Sequence, residues 1–303
     1  MTNCEKFLDY FSQHCQVYFP AIKNTYLNNR SSFEELALVM LSWAEDQLGE
    51  NWEKVLANGY LSYIMDVNRS QIEYERRGNY LNKKYSDVFD RVYNNSEFMS
   101  MYHWGVFVST FAWHHHIKIY DLYRNSFLSR LNQKGGHILD LGSGSGIWSF
   151  LTTHFSPQWT SQGIDISEKS IELSTAMALS SGFNNKVNFK VCDAIKYTGN
   201  KKYNAAISCF LMEHLEEPKL LLQNIALNLE TKAYAFITAA LTAAEVDHIS
   251  EFRRESEIVL MAEQAGFRVI SMESSAPPSH LDSYKFLPRA LALILQKRKN
   301  DIW

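Results

Sequence analysis

A glycine-rich turn between a short apolar segment and a helical pattern constrains the fold more than any other feature of this sequence. The apolar segment, residues 138–141, is typical of a buried strand. Gly142, Gly144 and Gly146 follow at alternate positions, and apolar residues at helical spacing begin at Ile147. A strand, a glycine turn and a helix form the first unit of a doubly wound α/β sheet. Because glycine lets a ligand approach the backbone closely, the sequence predicts a ligand site at the end of this strand.

The spacing of the glycines excludes two common nucleotide-binding motifs. A phosphate-binding P-loop ends in Gly-Lys-Ser or Gly-Lys-Thr, whereas Gly146 is followed by Ile147 and Trp148. A dinucleotide fingerprint would have its last glycine at position 147, which is Ile147. The turn therefore reads as Asp-x-Gly-x-Gly-x-Gly, starting from Asp140.

Three further strand patterns follow, and each ends in residues that can hold a ligand. The second ends at Asp165, at about the distance beyond the glycine turn where an acid binds ribose hydroxyls in this kind of fold. The third ends at Asp193, and the fourth, residues 203–210, is followed by Glu213 and His214. Because the carboxyl ends of parallel strands share one edge of a sheet, we expect these side chains to lie around one site.

These motifs, in this order, resemble those of the class I S-adenosylmethionine-dependent methyltransferases, and the resemblance covers residues 113–303. It implies an α/β fold with a seven-stranded, doubly wound, Rossmann-like methyltransferase sheet that ends in two antiparallel strands. Residues 1–112 lie outside the resemblance, and their periodicity predicts an N-terminal all-helical cap that is rich in aromatic residues.

The resemblance also implies a cofactor, S-adenosyl-L-methionine, and a set of residues that bind it. The backbone of the glycine turn is expected to meet the amino-acid part of the cofactor, Asp165 to accept both ribose hydroxyls, and Asp193 to border the adenine. The cofactor-binding residues implied in this way are Asp140, Gly142, Ser143, Gly144, Gly146, Asp165, Ile166, Asp193, Ala194, Cys209, Phe210 and His214.

The first third of the chain has helical periodicity and many tyrosines. The patterns predict helices over residues 5–19, from a cap at Ser31 or Ser32 to Gly49, from residue 51 onward, and over residues 97–130. Twelve of the 16 tyrosines lie at or before Tyr123. Tyrosine suits the lining of a pocket for a small organic molecule, but the same residues can equally pack a helical lobe.

Three consecutive histidines, His114, His115 and His116, lie in the predicted helix over residues 97–130. Neighbouring residues of a helix diverge by about 100°, so these three cannot converge on one metal ion. Only His115 falls on the apolar stripe, and by position we expect it to face a pocket together with Tyr102 and Trp113. The four cysteines have no CxxC spacing, so we predict neither a disulfide framework nor a metal site.

The segment after the fifth strand pattern is the strongest candidate for acceptor chemistry. It contains Glu245, Asp247, His248 and Arg254. Histidine takes up a proton near neutral pH, and arginine can hold a carboxylate by two parallel bonds, although the same residues would also suit a charged surface turn. The predicted catalytic residues are His248, His115 and His214; the predicted substrate-binding residues are Tyr102, Trp113, His115, Asp247 and Arg254.

The resemblance predicts methyl transfer to an oxygen or nitrogen of a small molecule in a capped pocket. Residues 208–211 lack the Asp/Asn-Pro-Pro-aromatic motif of enzymes that methylate nucleic-acid bases. Two alternatives stay open. The cofactor's own amino group could displace methylthioadenosine and close a ring, as in azetidine-carboxylate formation, or the chain could bind the cofactor without catalysis. The motifs do not identify the acceptor, the atom methylated or the general base.

The composition excludes several other classes of protein. The formal net charge is −3, from 30 basic and 33 acidic residues, which lacks the basic excess of a nucleic-acid binder. There is no apolar run of the length that a membrane span needs, and the first residues lack the pattern of a signal peptide. We therefore expect a cytoplasmic protein with a small-molecule substrate, and the aromatic N-terminal region leaves a homodimer open.

Overall fold

The computed structural model describes residues 1–278 and 285–299 of the chain, so residues 279–284 and 300–303 of the predicted core lie outside the described residues. The strands are β1 Gly136–Leu141, β2 Trp159–Asp165, β3 Val187–Val191, β4 Tyr203–Ser208, β5 Leu229–Leu241, β6 Phe267–Ser275 and β7 Arg289–Lys297. The α-helices are α1 Asn3–His14, α2 Phe19–Asn28, α3 Arg30–Leu48, α4 Trp52–Arg77, α5 Ser96–Ala112, α6 His114–Leu122, α7 Ile147–Phe155, α8 Glu168–Ser180, α9 Pro218–Asn228 and α10 Glu255–Gln264.

The seven strands form one sheet in the order β3-β2-β1-β4-β5-β7-β6. β7 pairs antiparallel with β5 and β6, and the other pairs are parallel. Leu141 at the end of β1 is in register with Ile164 of β2, so the turns that follow both strands meet at one edge. This arrangement confirms the predicted doubly wound, Rossmann-like sheet, with its antiparallel end and its N-terminal helical region.

The predicted boundaries in the first third need correction. The single helix predicted over residues 5–19 is instead part of two helices, because α1 ends at His14 and α2 begins at Phe19. Neither predicted cap starts α3: Ser31 and Ser32 lie inside a helix that begins at Arg30. α3 does end at the predicted glycine, since Gly49 has φ 59°, which favours glycine.

Glycines allow α4 and α5 to pack closely. A Cβ atom at Gly59 would lie 2.7 Å from the Cβ atom of Trp104 in α5. A Cβ atom at Gly105 would lie 2.2 Å from the Cβ atom of Tyr63. The two helices therefore approach through small residues, and this contact sets Tyr63 and Tyr102 beside each other, with ring centroids 5.5 Å apart.

The single helix predicted over residues 97–130 is wrong. Trp113 is extended, with φ −101° and ψ 131°, and separates α5 from α6. The three histidines therefore begin a new helix instead of lying in the middle of one. The apolar periodicity continues across the break, which is why the sequence pattern did not reveal it.

The N-terminal helices and the sheet share one apolar core. Trp43 of α3 packs against Phe150 of α7 at 5.6 Å and against Phe183 at 5.3 Å between ring centroids. Tyr123 and Phe127 pack against Phe236 of β5. None of the helices among the described residues combines the length and apolarity that crossing a bilayer requires.

Candidate functional site

A cavity of about 500 Å³ lies between the carboxyl edge of the sheet and the N-terminal helices. Of the predicted site residues, those that line it are Gly142, Ser143, Gly144, Asp165, Ile166, Asp193, Ala194, Cys209, Phe210, His214, Asp247, His248, Tyr102, Trp113 and His115. Its glycine-loop end comprises Gly142, Ser143, Gly144, Asp165 and Asp193. A second group of lining residues, here called the inner cluster, comprises Glu213, His214, Glu245, Asp247 and His248.

The glycine turn is held by its own backbone N–H groups. The N–H groups of Gly142 and Ser143 both donate to the carbonyl of Ile164, at 2.8 and 3.0 Å. Gly142 has φ 73°, and a Cβ atom there would lie 2.7 Å from a methyl carbon of Leu211. At Gly144, by contrast, a Cβ atom would have no atom within 4 Å. Gly144 is therefore the point at which a ligand can come nearest to the turn.

Asp165 is tied to the glycine turn through its carboxylate. Its Oδ2 atom accepts the N–H of Gly144 and its Oδ1 atom accepts the N–H of Ser167, both at 2.8 Å. Burial raises the pKa of Asp165, while these two N–H groups lower it. Ser143 adds a hydroxyl that is buried and has no hydrogen-bond partner among the described residues. Each carboxylate oxygen of Asp165 keeps a second lone pair that can accept a hydrogen bond from a ligand.

Asp193 lies two residues after the end of β3, and its side chain is 27% exposed. Its Oδ1 atom accepts the N–H of Ile195 at 3.0 Å, and its Oδ2 atom lies 3.0 Å from the ammonium of Lys196. The next residue, Ala194, is buried, and Ile166 on the neighbouring turn is 42% exposed. These residues form the outer rim of the glycine-loop end.

Two residues predicted to bind the cofactor, Asp140 and Gly146, do not line the cavity. Asp140 is 1% exposed, and its Oδ2 atom accepts the hydroxyl of Ser149 at 2.7 Å. Burial raises the pKa of Asp140 to about 7. A Cβ atom at Gly146 would lie 2.6 Å from the ring of Phe189. Both residues instead support the turn from behind.

Aromatic side chains from α4, α5 and the break after α5 form one wall of the cavity. The rings of Tyr63 and Trp113 stack with centroids 5.6 Å apart. His115 lies against Trp113 at 5.3 Å, and its Nδ1 atom is buried without a partner among the described residues. His116, which lies off the predicted apolar stripe, also lines the cavity and packs on Phe210, with ring centroids 4.9 Å apart.

The inner cluster is assembled by two loops that follow β4 and β5. The backbone carbonyl of Glu213 accepts the N–H groups of Ile249 and Ser250, at 2.8 and 2.9 Å, which joins the loops. The N-terminal region holds the second loop: Tyr80 donates to the carbonyl of Ala243, and the amide of Asn82 donates to the carbonyls of Val246 and His248. The loop after β5 is therefore shaped by side chains far away in sequence.

The charged side chains of the inner cluster differ in how many hydrogen-bond partners they have. His214 Nδ1 donates to Asp247 Oδ2 at 3.2 Å, and the hydroxyl of Tyr93 donates to the same oxygen at 3.1 Å. The two oxygens of Glu245 accept the hydroxyls of Tyr63 and Tyr102, at 2.7 and 3.3 Å. The Oε1 and Oε2 atoms of Glu213 are buried and have no partner among the described residues.

These contacts separate the protonation states of the two histidines. Burial would lower the pKa of His214, but the charge of Asp247 and the hydrogen bond to it raise that pKa above its usual value. Burial and the charge on His214 lower the pKa of His248 to about 3. The Nδ1–H of His248 donates to the carbonyl of Ala243 at 2.8 Å, so its Nε2 atom carries the free lone pair. Burial raises the pKa of Glu213 and of Glu245 to about 7.

The structure corrects the predicted acceptor ligand Arg254. This residue is exposed at the start of α10 and does not line the cavity. Arg289 of β7 does line it, and its Nε atom is buried without a partner among the described residues. Two other lining residues that sequence reasoning missed are Tyr85 and Tyr93, which lie in short helical turns without a readable periodicity.

Comparisons with known proteins agree with this geometry. Residues 132–276 match the family model described as a methyltransferase domain. Among solved structures, the chain is similar to the cyclase SpnF, at 14% identity and TM-score 0.51, over 61% of this chain and 82% of that one. It is also similar to phosphoethanolamine N-methyltransferase 2 of Haemonchus contortus in complex with S-adenosyl-L-methionine, at 14% identity and TM-score 0.54, over 71% of this chain and 60% of that one. A comparison with curated protein sequences finds no match.

Proposed function

We propose that this chain, whose residues 132–276 match the methyltransferase-domain model, is a class I S-adenosylmethionine-dependent methyltransferase that transfers a methyl group to an oxygen or nitrogen of a small molecule. The observation that carries the proposal is the cavity of about 500 Å³ between the sheet edge and the N-terminal helices. One cavity contains both the glycine-loop end, where this family binds its cofactor, and the inner cluster, where an acceptor has room to bind.

The residues of the glycine-loop end fit S-adenosyl-L-methionine. Asp165 keeps one lone pair on each oxygen for the two ribose hydroxyls, beyond the bonds from Gly144 and Ser167. The unpartnered hydroxyl of Ser143 suits a polar group of the cofactor. The open space at Gly144 leaves room for the ligand beside the backbone. The cofactor, when bound, supplies a methyl group that its positively charged sulfur has already activated.

The protein's main contribution in this proposal is alignment. Holding an acceptor in line with an activated carbon can lower the barrier by roughly 7–11 kcal/mol. A general base adds about 10²–10⁴-fold in rate, which is less. The aromatic wall formed by Tyr63, Tyr102 and Trp113 suits a small acceptor, since it offers flat apolar surface with hydroxyls at its edge.

An acceptor that carries a proton must also lose it. Of the three predicted catalytic histidines, His214 already holds its proton because Asp247 stabilises the cation. His248 keeps a free Nε2 lone pair, and Glu245 has a pKa raised to about 7 by burial. His115 remains a candidate further along the wall, since its Nδ1 atom is unpartnered among the described residues. We propose that the proton passes to the inner cluster.

We further propose that residues 1–112 act as the substrate lobe and residues 113–303 as the cofactor-binding core. Support comes from the cavity wall, to which the N-terminal part contributes Tyr63, Tyr93 and Tyr102. It also comes from Tyr80 and Asn82, whose hydrogen bonds hold the loop after β5. The lobe would then both line the acceptor end and shape the inner cluster.

The deciding experiment is product analysis by mass spectrometry. The protein is incubated with S-adenosyl-L-methionine alone and then with a panel of small amines and hydroxylated compounds, with Asp165→Ala as the matched control. S-adenosylhomocysteine that forms only with an acceptor supports methyl transfer. Methylthioadenosine formed without acceptor, above the level of Asp165→Ala, would overturn it in favour of the intramolecular displacement. Cofactor binding without either product would favour a non-catalytic module.

A further inference from the structure

Glu213 is the most unusual ionisable residue of the cavity. Its side chain is 0% exposed, and neither carboxylate oxygen has a hydrogen-bond partner among the described residues. Buried polar groups in folded proteins are almost always hydrogen-bonded, and an unpaired buried carboxylate costs several kcal/mol or takes up a proton. The backbone N–H groups of Glu213 and Ala240 lie near this carboxylate without meeting hydrogen-bond geometry, so the carboxylate can accept a further ligand.

The two histidines beside Glu213 are oriented as metal ligands are. His214 donates its Nδ1–H to Asp247, and His248 donates its Nδ1–H to the carbonyl of Ala243. No hydrogen bond within the described residues occupies the Nε2 atom of either ring. Histidines that bind a metal typically donate their other ring N–H to a carboxylate or a backbone carbonyl, which sets the tautomer and the ring orientation.

The three side chains are close enough to share one ion. One ligand atom from each of Glu213, His214 and His248 lies within 4.8 Å of the other two. Ligand atoms bound at about 2.0–2.2 Å from one ion lie about 3–4 Å from one another, so a small contraction would close the set. We propose that Glu213, His214 and His248 bind one divalent transition-metal ion in the cavity.

The other carboxylates of the inner cluster are less available. Both oxygens of Glu245 accept tyrosine hydroxyls, and Oδ2 of Asp247 is shared by His214 and Tyr93. A second grouping, of Glu245, Asp247 and His248, is therefore already satisfied in part. Asp247 acts instead as a positioning residue that holds the ring of His214.

The ligand set also indicates which kind of ion would bind. Two imidazoles with one carboxylate suit zinc, iron and their neighbours, whereas magnesium and calcium prefer all-oxygen sites.

Three protein ligands leave coordination positions open toward the cavity. In the proposed methyl transfer, which this step rests on, an acceptor oxygen or nitrogen would bind there and the ion would stabilise its deprotonated form. With His248 bound to the ion, Glu245 would remain as the proton acceptor. Binding of the metal ion would itself displace the Nε2 proton of His214, since an imidazole that binds a metal ion is neutral.

Metal binding is tested without cofactor or acceptor, so its failure and that of methyl transfer are distinguishable. The purified full chain is stripped with a chelator and titrated with Zn²⁺ or Co²⁺, with Mg²⁺ as the contrasting ion. Calorimetry should give one equivalent of Zn²⁺ or Co²⁺ and no saturable Mg²⁺ binding. The Co²⁺ form should absorb in the visible, and the melting temperature should rise with either transition metal.

Variants identify the ligands. Glu213→Gln and His248→Ala should each bind Zn²⁺ at least ~100-fold more weakly than the parent protein. Asp247→Asn removes the carboxylate charge that holds the ring of His214, and it should bind Zn²⁺ ~10–100-fold more weakly. His116→Gln, which alters a cavity histidine outside the cluster, should bind as the parent protein does. The metal-free Glu213→Gln protein should be at least as stable as the metal-free parent, because a buried unpaired charge is removed.

Three results would overturn the site. One is the absence of saturable Zn²⁺ and Co²⁺ binding by the folded parent protein. The other is equal affinity in the parent protein and a folded Glu213→Gln variant, because the carboxylate would then not be a ligand. A melting temperature that rises with methylammonium and with no divalent ion would likewise assign Glu213 to an organic cation.

Discussion

The two ends of the cavity differ in how far the protein satisfies its own polar groups. At the glycine-loop end, each oxygen of Asp165 accepts a backbone N–H, and the turn is closed by bonds to Ile164. In the inner cluster, Glu213 has no partner and Asp247 keeps one unpartnered oxygen among the described residues. Apart from the hydroxyl of Ser143, the first end is closed by the protein's own hydrogen bonds, whereas the second keeps unpartnered carboxylate oxygens. The following predictions test that difference.

The largest effect is expected at the glycine-loop end. Asp165→Ala should weaken the binding of S-adenosyl-L-methionine and S-adenosylhomocysteine by at least ~100-fold. Hydrogen bonds to a charged group contribute about 1.5–3 kcal/mol each, and the substitution removes two of them. Isothermal titration calorimetry measures the change. Glu168→Gln, an exposed acid three residues on, is the control and should bind normally. A loss below ~3-fold in a folded Asp165→Ala protein would contradict the assignment of this end.

The next largest effect is expected at Glu245, the carboxylate of the inner cluster whose two oxygens both accept tyrosine hydroxyls. Removing both hydroxyls with Tyr63→Phe and Tyr102→Phe leaves the half-buried carboxylate of Glu245 without donors. We expect the free energy of unfolding to fall by about 1–3 kcal/mol, the usual cost of leaving a polar group without its hydrogen-bond partners. Denaturant unfolding measures this loss.

A double-mutant cycle shows whether Glu245 is the cause. In a Glu245→Gln background the same two tyrosine substitutions should cost clearly less, since the amide carries no charge to be stabilised. An equal loss in both backgrounds would mean that the tyrosines act through packing alone, and the inner cluster would then be less dependent on its hydroxyl donors than proposed.

Asp140, which supports the glycine turn from behind, offers a pH-dependent test. Burial raises its pKa in the folded protein to about 7, above the roughly 3.9 of an unfolded chain. The folded state therefore keeps a proton that the unfolded state loses, so stability falls as pH rises from about 4 to 7. Asp140→Asn lacks this decline, and its melting temperature relative to the parent protein should increase from pH 5 to pH 8.

The expected size is about 1–3 kcal/mol across that range, given roughly 1.4 kcal/mol for each pKa unit. Ser149→Ala is a useful companion, because the hydroxyl of Ser149 lowers the pKa of Asp140 and its removal should steepen the decline. A difference between Asp140→Asn and the parent protein that does not change with pH would contradict a raised pKa.

The two ends also differ in how much of them was predictable from the sequence. The sheet and the glycine-loop end follow from contiguous motifs, because each strand pattern ends in the residue that faces the site, as Asp165 and Asp193 do. Asp140 and Gly146 belong to the same motif but lie behind the wall. A motif therefore identifies a turn more reliably than it identifies which side chains of the turn meet a ligand.

The inner cluster was only partly predictable because it depends on contacts between distant segments. Glu245 and its donors Tyr63 and Tyr102 are more than 140 residues apart in the chain. The break at Trp113 interrupts no apolar periodicity, so the change of helix direction there left no signal. Glu213 was visible in the sequence, but only the folded loops reveal that its carboxylate is buried without a partner.

The smallest effect is expected for Asp193, and it sharpens the comparison within one end. Asp193→Asn should change cofactor affinity by less than ~5-fold, which is below about 1 kcal/mol. The amide keeps an oxygen for the N–H of Ile195, and the lost ion pair is with Lys196, whose side chain is 77% exposed, so it contributes little. Asp193→Ala, measured beside it by calorimetry, removes the acceptor oxygen as well and should lose more cofactor affinity than Asp193→Asn does. If Asp193→Asn instead weakened cofactor binding as much as Asp165→Ala does, the charge of the rim acid would itself contact the cofactor. The glycine-loop end would then use two carboxylates equally, although only one of them is tied into the turn.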